Sequence, residues 1–177
     1  MPFTTLPTIL AGDVPSGDNW NSILTAISEQ RTRRSVCSSA LTKNNNTTLS
    51  DITGCSVSLS ASTTYMVRGR ITVNGNGTAD FKIGWTYPSG CLIYWTAEGF
   101  NTGSVYVSTN LTETSTPGFG AGNIAGTTDD VVTFEAVVVV STTAGTLQLQ
   151  GAQQTADVSN TIFRATTTYF ETELRDA

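Results

Sequence analysis

From Ser35 onward, apolar and polar residues alternate in short runs broken by turn-forming residues. Alternation with a period of two places successive side chains on opposite faces of a strand. The runs predict strands over 35–41, 53–59, 64–73, 79–87, 91–97, 103–109, 131–140, 145–150, 160–165 and 168–174. Between them lie Asn44-Asn45-Asn46, Asn74-Gly75-Asn76-Gly77, Pro88-Ser89-Gly90, Gly99 and Ala144-Gly145, which are turn signals. Short strands at this spacing, with no helical pattern among them, predict an all-β domain: an antiparallel β-sandwich or jelly roll. The irregular run 111–130 is too long for a hairpin turn and is expected to be functional or interfacial.

Two stretches depart from plain alternation. ADFKIGWTYPSGCLIYWTA, residues 79–97, carries Phe81, Trp85, Tyr87, Tyr94 and Trp95 in a chain that is only 8% aromatic. Phe81, Ile83, Trp85 and Tyr87 share one face, and Cys91, Ile93 and Trp95 share one face after the Pro-Ser-Gly turn. The stretch reads as a hairpin filling the core, because strict alternation is what a half-buried strand requires. The competing reading is a ring platform for a sugar, using Trp85, Tyr94, Trp95 or Tyr106. It requires those rings to face solvent. In VVTFEAVVVV, residues 131–140, the even positions form an unbroken apolar face, and Val137 and Val139 add apolar groups to the other. A strand apolar on both faces is expected to be covered on both. Either the long loop or a neighbouring subunit supplies the second cover, and Val137 and Val139 are the candidate oligomer contacts.

The first 34 residues have a different pattern. Pro2, Pro7 and Pro15 suit an extended arm. Asp18 or Ser16 can cap a short α-helix on which Trp20, Ile23, Leu24 and Ile27 recur at helical spacing, ending near Arg31–Arg34. The expected organisation is an arm and helix over 1–34 and a β-domain over 35–177. The helix stripe packs either on its own domain or on another subunit. In the second case Phe3, Leu6, Ile9 and Leu10 of the arm and Trp20, Ile23, Leu24 and Ile27 of the helix are the candidate anchoring residues.

Composition narrows the chemistry. Charged residues are 13% of the chain, about half the usual share, and the net charge is −5. Only Arg31, Arg33 and Arg34 cluster, so no nucleic-acid partner is expected. The absence of histidine removes the commonest general base and the His-dependent nucleophile pairs. Cys37, Cys55 and Cys91 have no metal-ligand spacing and read as small buried residues of a chain made in a reducing compartment. No apolar run is long enough to span a bilayer, and the N-terminus lacks a signal-peptide pattern, so no membrane is expected. PGFGAGN, residues 117–123, is not followed by a helix and so is not a phosphate loop. Asp129, Asp130, Glu171 and Glu173 would support an enzyme only if they converged in a pocket; no catalytic constellation and no cofactor are expected.

The opening LPTILAGDVPSGDNWNSILTAI, followed by ITGCSVSLSASTTYMVRGRITV, TADFKIGWTYPSG and the closing GTLQLQGAQ and TIFRATTTYFETEL, resembles small structural proteins of tailed phages that infect actinobacteria. The resemblance covers most of the chain by pattern and transfers no catalytic position. It implies a non-enzymatic virion protein, made in the bacterial cytoplasm, in which an anchoring segment precedes a compact and often trimeric β-sandwich. Its partners would be further copies of itself and the major capsid protein or another virion protein. The expected role is capsid decoration. The alternative is a minor tail or fibre-tip protein whose β-domain meets a receptor or a host-surface glycan.

Overall fold

A computed structural model of the chain describes residues 17, 18, 20, 21, 24, 32–100, 105–120 and 129–175. Among these residues twelve strands form in order: β1 (Arg33–Val36), β2 (Leu41–Lys43), β3 (Ser50–Leu59), β4 (Thr64–Asn74), β5 (Phe81–Thr86), β6 (Leu92–Phe100), β7 (Tyr106–Thr112), β8 (Gly118–Phe119), β9 (Asp130–Val139), β10 (Gly145–Gln153), β11 (Thr161–Phe163) and β12 (Tyr169–Arg175). The pairings among them are antiparallel. One sheet of eight strands runs β1-β12-β4-β9-β6-β7, with β11 joining β4 to β2; a second sheet of four runs β3-β10-β5-β8. The two sheets pack as a β-sandwich, the predicted class. From β3 to β6 and from β8 to β11 every connection passes from one sheet to the other.

That alternation corrects the reading of residues 79–97. The stretch is not a hairpin: β5 pairs with β10 and β8 in the small sheet, whereas β6 pairs with β9 and β7 in the large one. Pro88-Ser89-Gly90 is an arch between layers, closed by the Cys91 amide donating to the Pro88 carbonyl (3.1 Å), with Gly90 at φ 73°. Local residues specify a tight reversal in both cases, and only long-range pairing decides between hairpin and arch. The facial assignment stands. Phe81, Ile83, Trp85, Cys91, Ile93 and Trp95 are all buried, and Tyr87 packs against the cluster they form.

Trp85 bridges the layers. Its ring lies edge-on to Phe134 (5.3 Å), Phe170 (5.7 Å) and Trp95 (5.9 Å) of the large sheet. Edge-to-face pairs at this separation add about 0.5–1.5 kcal/mol each beyond their area burial. Gly69 of β4 sits in one cross-strand row between Phe170 and Phe134, and a Cβ there would lie 2.3 Å from the Phe134 ring. The missing side chain is what lets the rings close over the centre of the sheet.

Other departures have local causes. The predicted strand 35–41 splits into β1 and β2, because the Cys37 amide and the Ser38 amide leave the sheet for the carbonyls of Thr168 and Thr53. In β3, Ile52 and Cys55 both point inward, an odd spacing that plain alternation cannot give. A bulge around Gly54 (φ 88°) resets the phase, and the Gln148 amide donates to the carbonyls of Ile52 (3.0 Å) and Cys55 (2.8 Å) that it releases. The run 111–130 is not loop throughout: it holds the end of β7 and all of β8, and Phe119 is buried against Phe81 (5.8 Å). Cys37, Cys55 and Cys91 are buried free thiols, as expected from the sequence.

Candidate functional site

With the sandwich filled, depressions lined by described residues lie on the outer face of the large sheet. Register places its outward side chains in rows across the strands. One row reads Arg34, Glu171, Arg68, Glu135, Thr96, Asn110 over β1, β12, β4, β9, β6 and β7. The next row toward the start of β12 reads Tyr169, Arg70, Thr133, Glu98, Ser108. On the other side of the charged row lie Glu173, Met66, Val137 and Tyr94, then Arg175, Thr64, Val139 and Leu92. The face is therefore banded: apolar across β4, β9 and β6 at one end, charged and hydroxylic at the other.

The charges pair across strands, as opposite signs on one sheet face do. Arg68 meets Glu135 at 3.1 Å and Arg34 meets Glu171 at 3.8 Å, while the Arg34 guanidinium lies 4.2 Å from the Tyr169 ring centre. Glu98 accepts from the Tyr106 hydroxyl (3.0 Å) and the Ser108 hydroxyl (3.2 Å). That hydrogen bond, and the carboxylate charge behind it, push the Tyr106 hydroxyl above its ordinary pKa and keep it a donor. The polar rows enclose a groove of about 460 Å³ lined by Arg68, Arg70, Thr96, Glu98, Thr133 and Tyr169 among others.

The apolar band is open. Val137 is 38% exposed, Val139 37%, Leu92 44% and Tyr94 56%, and a second depression of about 350 Å³ runs between Met66, Tyr94, Leu111 and Val137. Among the described residues of a single chain, β9 is covered on one of its two faces. Its even face, Val132, Phe134, Ala136 and Val138, is buried; its odd face has no cover among the described residues of a single chain. The interface candidates Val137 and Val139 thus lie side by side with Tyr94 and Leu92, two outer-face residues that the sequence pattern alone does not single out for contact.

The remaining candidates separate clearly. Trp20 and Leu24 are helical and 53% and 60% exposed, so neither is buried on the described part of the sandwich. Phe3, Leu6, Ile9, Leu10, Ile23 and Ile27 lie outside the described residues. Of the four rings of the sugar-platform reading, Trp85 and Trp95 are core, and the Trp95 indole donates to the Thr112 carbonyl (2.8 Å). Tyr94 and Tyr106 are exposed, three rows apart along β6 and β7. The acids do not converge. Asp129 pairs with Arg164 (2.9 Å), Glu171 with Arg34 and Glu173 with Arg175 (3.6 Å). Asp130 is buried opposite Val73, five residues along β4 from the partner of Glu171, roughly 17 Å at the rise of a strand. No group of three His, Cys, Asp or Glu side chains among the described residues could hold a metal ion.

No protein-family model matches the chain, and no curated protein does. Solved structures with partial likeness include the tripod from the baseplate of bacteriophage Tuc2009, at 13% identity, covering 96% of this chain and 77% of that one, with a TM-score of 0.34. The Gx strain of infectious bursal disease virus matches at 9% identity over 82% of this chain and 40% of that one (TM-score 0.22). The VP2 subviral particle of infectious bursal disease virus matches at 10% over 81% and 37% (TM-score 0.21). The chain spans less than half the length of these two viral chains. At such identities and scores no function passes from these proteins to this one.

Proposed function

We propose that this chain is a non-enzymatic structural protein of a virion, a capsid decoration protein whose segment 1–34 anchors it to the particle while its β-domains cluster, as trimers, through the apolar end of the large sheet. The carrying observation is the band of Leu92, Tyr94, Val137 and Val139, which stands exposed on the face opposite a filled core. Contiguous apolar surface of this kind marks contact sites in soluble proteins, and obligate subunit interfaces resemble a core cut in half. The exposed Trp20 and Leu24 support the anchoring role, since their apolar surface finds no cover among the described residues. The sequence resemblance to phage structural proteins supports the setting.

Two measurements test this reading. Removal of residues 1–15 leaves the β-domain folded and abolishes attachment to the particle; retained attachment contradicts the anchor. The copy number of the chain relative to the major shell protein then separates the two locations. Many copies per particle fit decoration, and a handful fits a tail or fibre tip.

A further inference from the structure

We propose that the polar groove at the other end of the same sheet face is a binding site for an acidic saccharide, a polyhydroxylated chain carrying one carboxylate or phosphate that docks on Arg70. Such a site is separate from the structural role and suits a shell protein and a fibre tip alike.

Charge in the groove is unevenly answered. Each carboxylate is already engaged: Glu135 by Arg68, Glu171 by Arg34, and Glu98 by the hydroxyls of Tyr106 and Ser108. Arg70 is exposed and has no ion pair among the described residues. Its register neighbours are Tyr169 on β12 and Thr133 on β9, neither of them charged against it. Among the described residues Arg70 is thus the lining cation without an ion pair, while Glu98, held by neutral hydroxyls, keeps its charge two strands away in the same row; a guanidinium presents a planar fork that takes a carboxylate or phosphate two hydrogen bonds at a time.

The rest of the groove selects against simpler anions. Three carboxylates line it, so a polyanion such as nucleic acid meets repulsion on either side of Arg70. Those carboxylates and the Thr96 and Thr133 hydroxyls are acceptors for hydroxyl donors, which sugars and polyols supply in number. From Tyr169 to Glu98 the groove crosses three strand spacings, roughly 14 Å, enough for a short oligosaccharide laid across the strands. Its volume of about 460 Å³ falls within the range of small-molecule sites. A peptide would look instead for a free strand edge or an apolar groove, and a sheet face at this end offers neither.

The test titrates the full chain with 3′-sialyllactose, a trisaccharide carrying a single carboxylate, with glycerol phosphate and with neutral galactotriose, by calorimetry and by chemical-shift mapping. The acidic probes separate a carboxylate ligand from a phosphate one. The expected result is that one acidic probe binds at least tenfold more tightly than galactotriose and shifts the signals of Thr96, Thr133 and Arg70. Arg70→Ala, at an exposed and unpaired position, should keep the wild-type unfolding curve and lose at least tenfold in affinity, with Arg70→Lys between the two. Val137→Asp should leave the affinity unchanged, which separates failure of this site from failure of the interface. Neutral and acidic probes binding equally, no acidic probe binding, or Arg70→Ala binding like wild type would each overturn the proposal.

Discussion

The two faces of β9 differ less in sequence than in surroundings. Ala136 and Val138 inward and Val137 and Val139 outward are all apolar, yet the first pair is at most 3% exposed and the second 37–38%. The inward residues meet a second sheet whose strands were placed by the chain crossing between layers. The outward residues meet no such layer among the described residues. Hydrophobicity alone therefore does not decide burial; the layer opposite does. In the proposed assembly a neighbouring subunit supplies the layer that the outward pair lacks.

The largest contrast between the faces is expected in stability. Trp85→Ala removes the ring that touches Trp95, Phe134 and Phe170 and should cost about 3–5 kcal/mol, read by urea unfolding. A loss below about 1 kcal/mol would mean that the layers are not joined through this ring. Overpacking comes next. Gly69→Ala puts a methyl group against the Phe134 ring, with the Tyr169 carbonyl 2.7 Å away, and should cost about 1–3 kcal/mol.

Alkaline pH probes the same core more gently. Burial pushes the Cys55 thiol from 9.0 up to about 12, with the neighbouring Cys37 adding to it, and the Cys91 thiol up to about 11, with Glu113 contributing. A folded pKa above the unfolded one means that the folded state holds its proton more tightly. This stabilisation is complete below about pH 9 and declines as pH rises from there toward 11 and 12. Unfolding free energy should fall by about 2 kcal/mol for each of the two thiols between about pH 8 and pH 10.5, and Cys55→Ala should flatten about half of that slope. An equal slope in Cys55→Ala would place the effect elsewhere.

Much of this contrast was legible in the alternation. The inward set of Phe81, Ile83, Trp85, Ile93 and Trp95 follows from period two alone, and most strand boundaries fall within a few residues of the expected ones. What alternation cannot carry is pairing. The Pro-Ser-Gly turn looks the same as hairpin or arch, β8 is two residues inside an irregular run, and the Gly54 bulge breaks the phase that a pattern search relies on. The outer groove was invisible for the same reason. Arg70, Thr133, Glu98 and Tyr169 come from four strands, and only register brings them into one row.

The smallest effect on stability and the largest on assembly are expected at the outer face. Val137→Asp adds a charge at a position that is already 38% exposed, so unfolding should shift by no more than about 0.5 kcal/mol. Light scattering measures the mass directly. The wild-type chain should run as a multimer and Val137→Asp as a single chain with an unchanged fold; equal masses for the two would contradict the assignment of this face as the subunit interface.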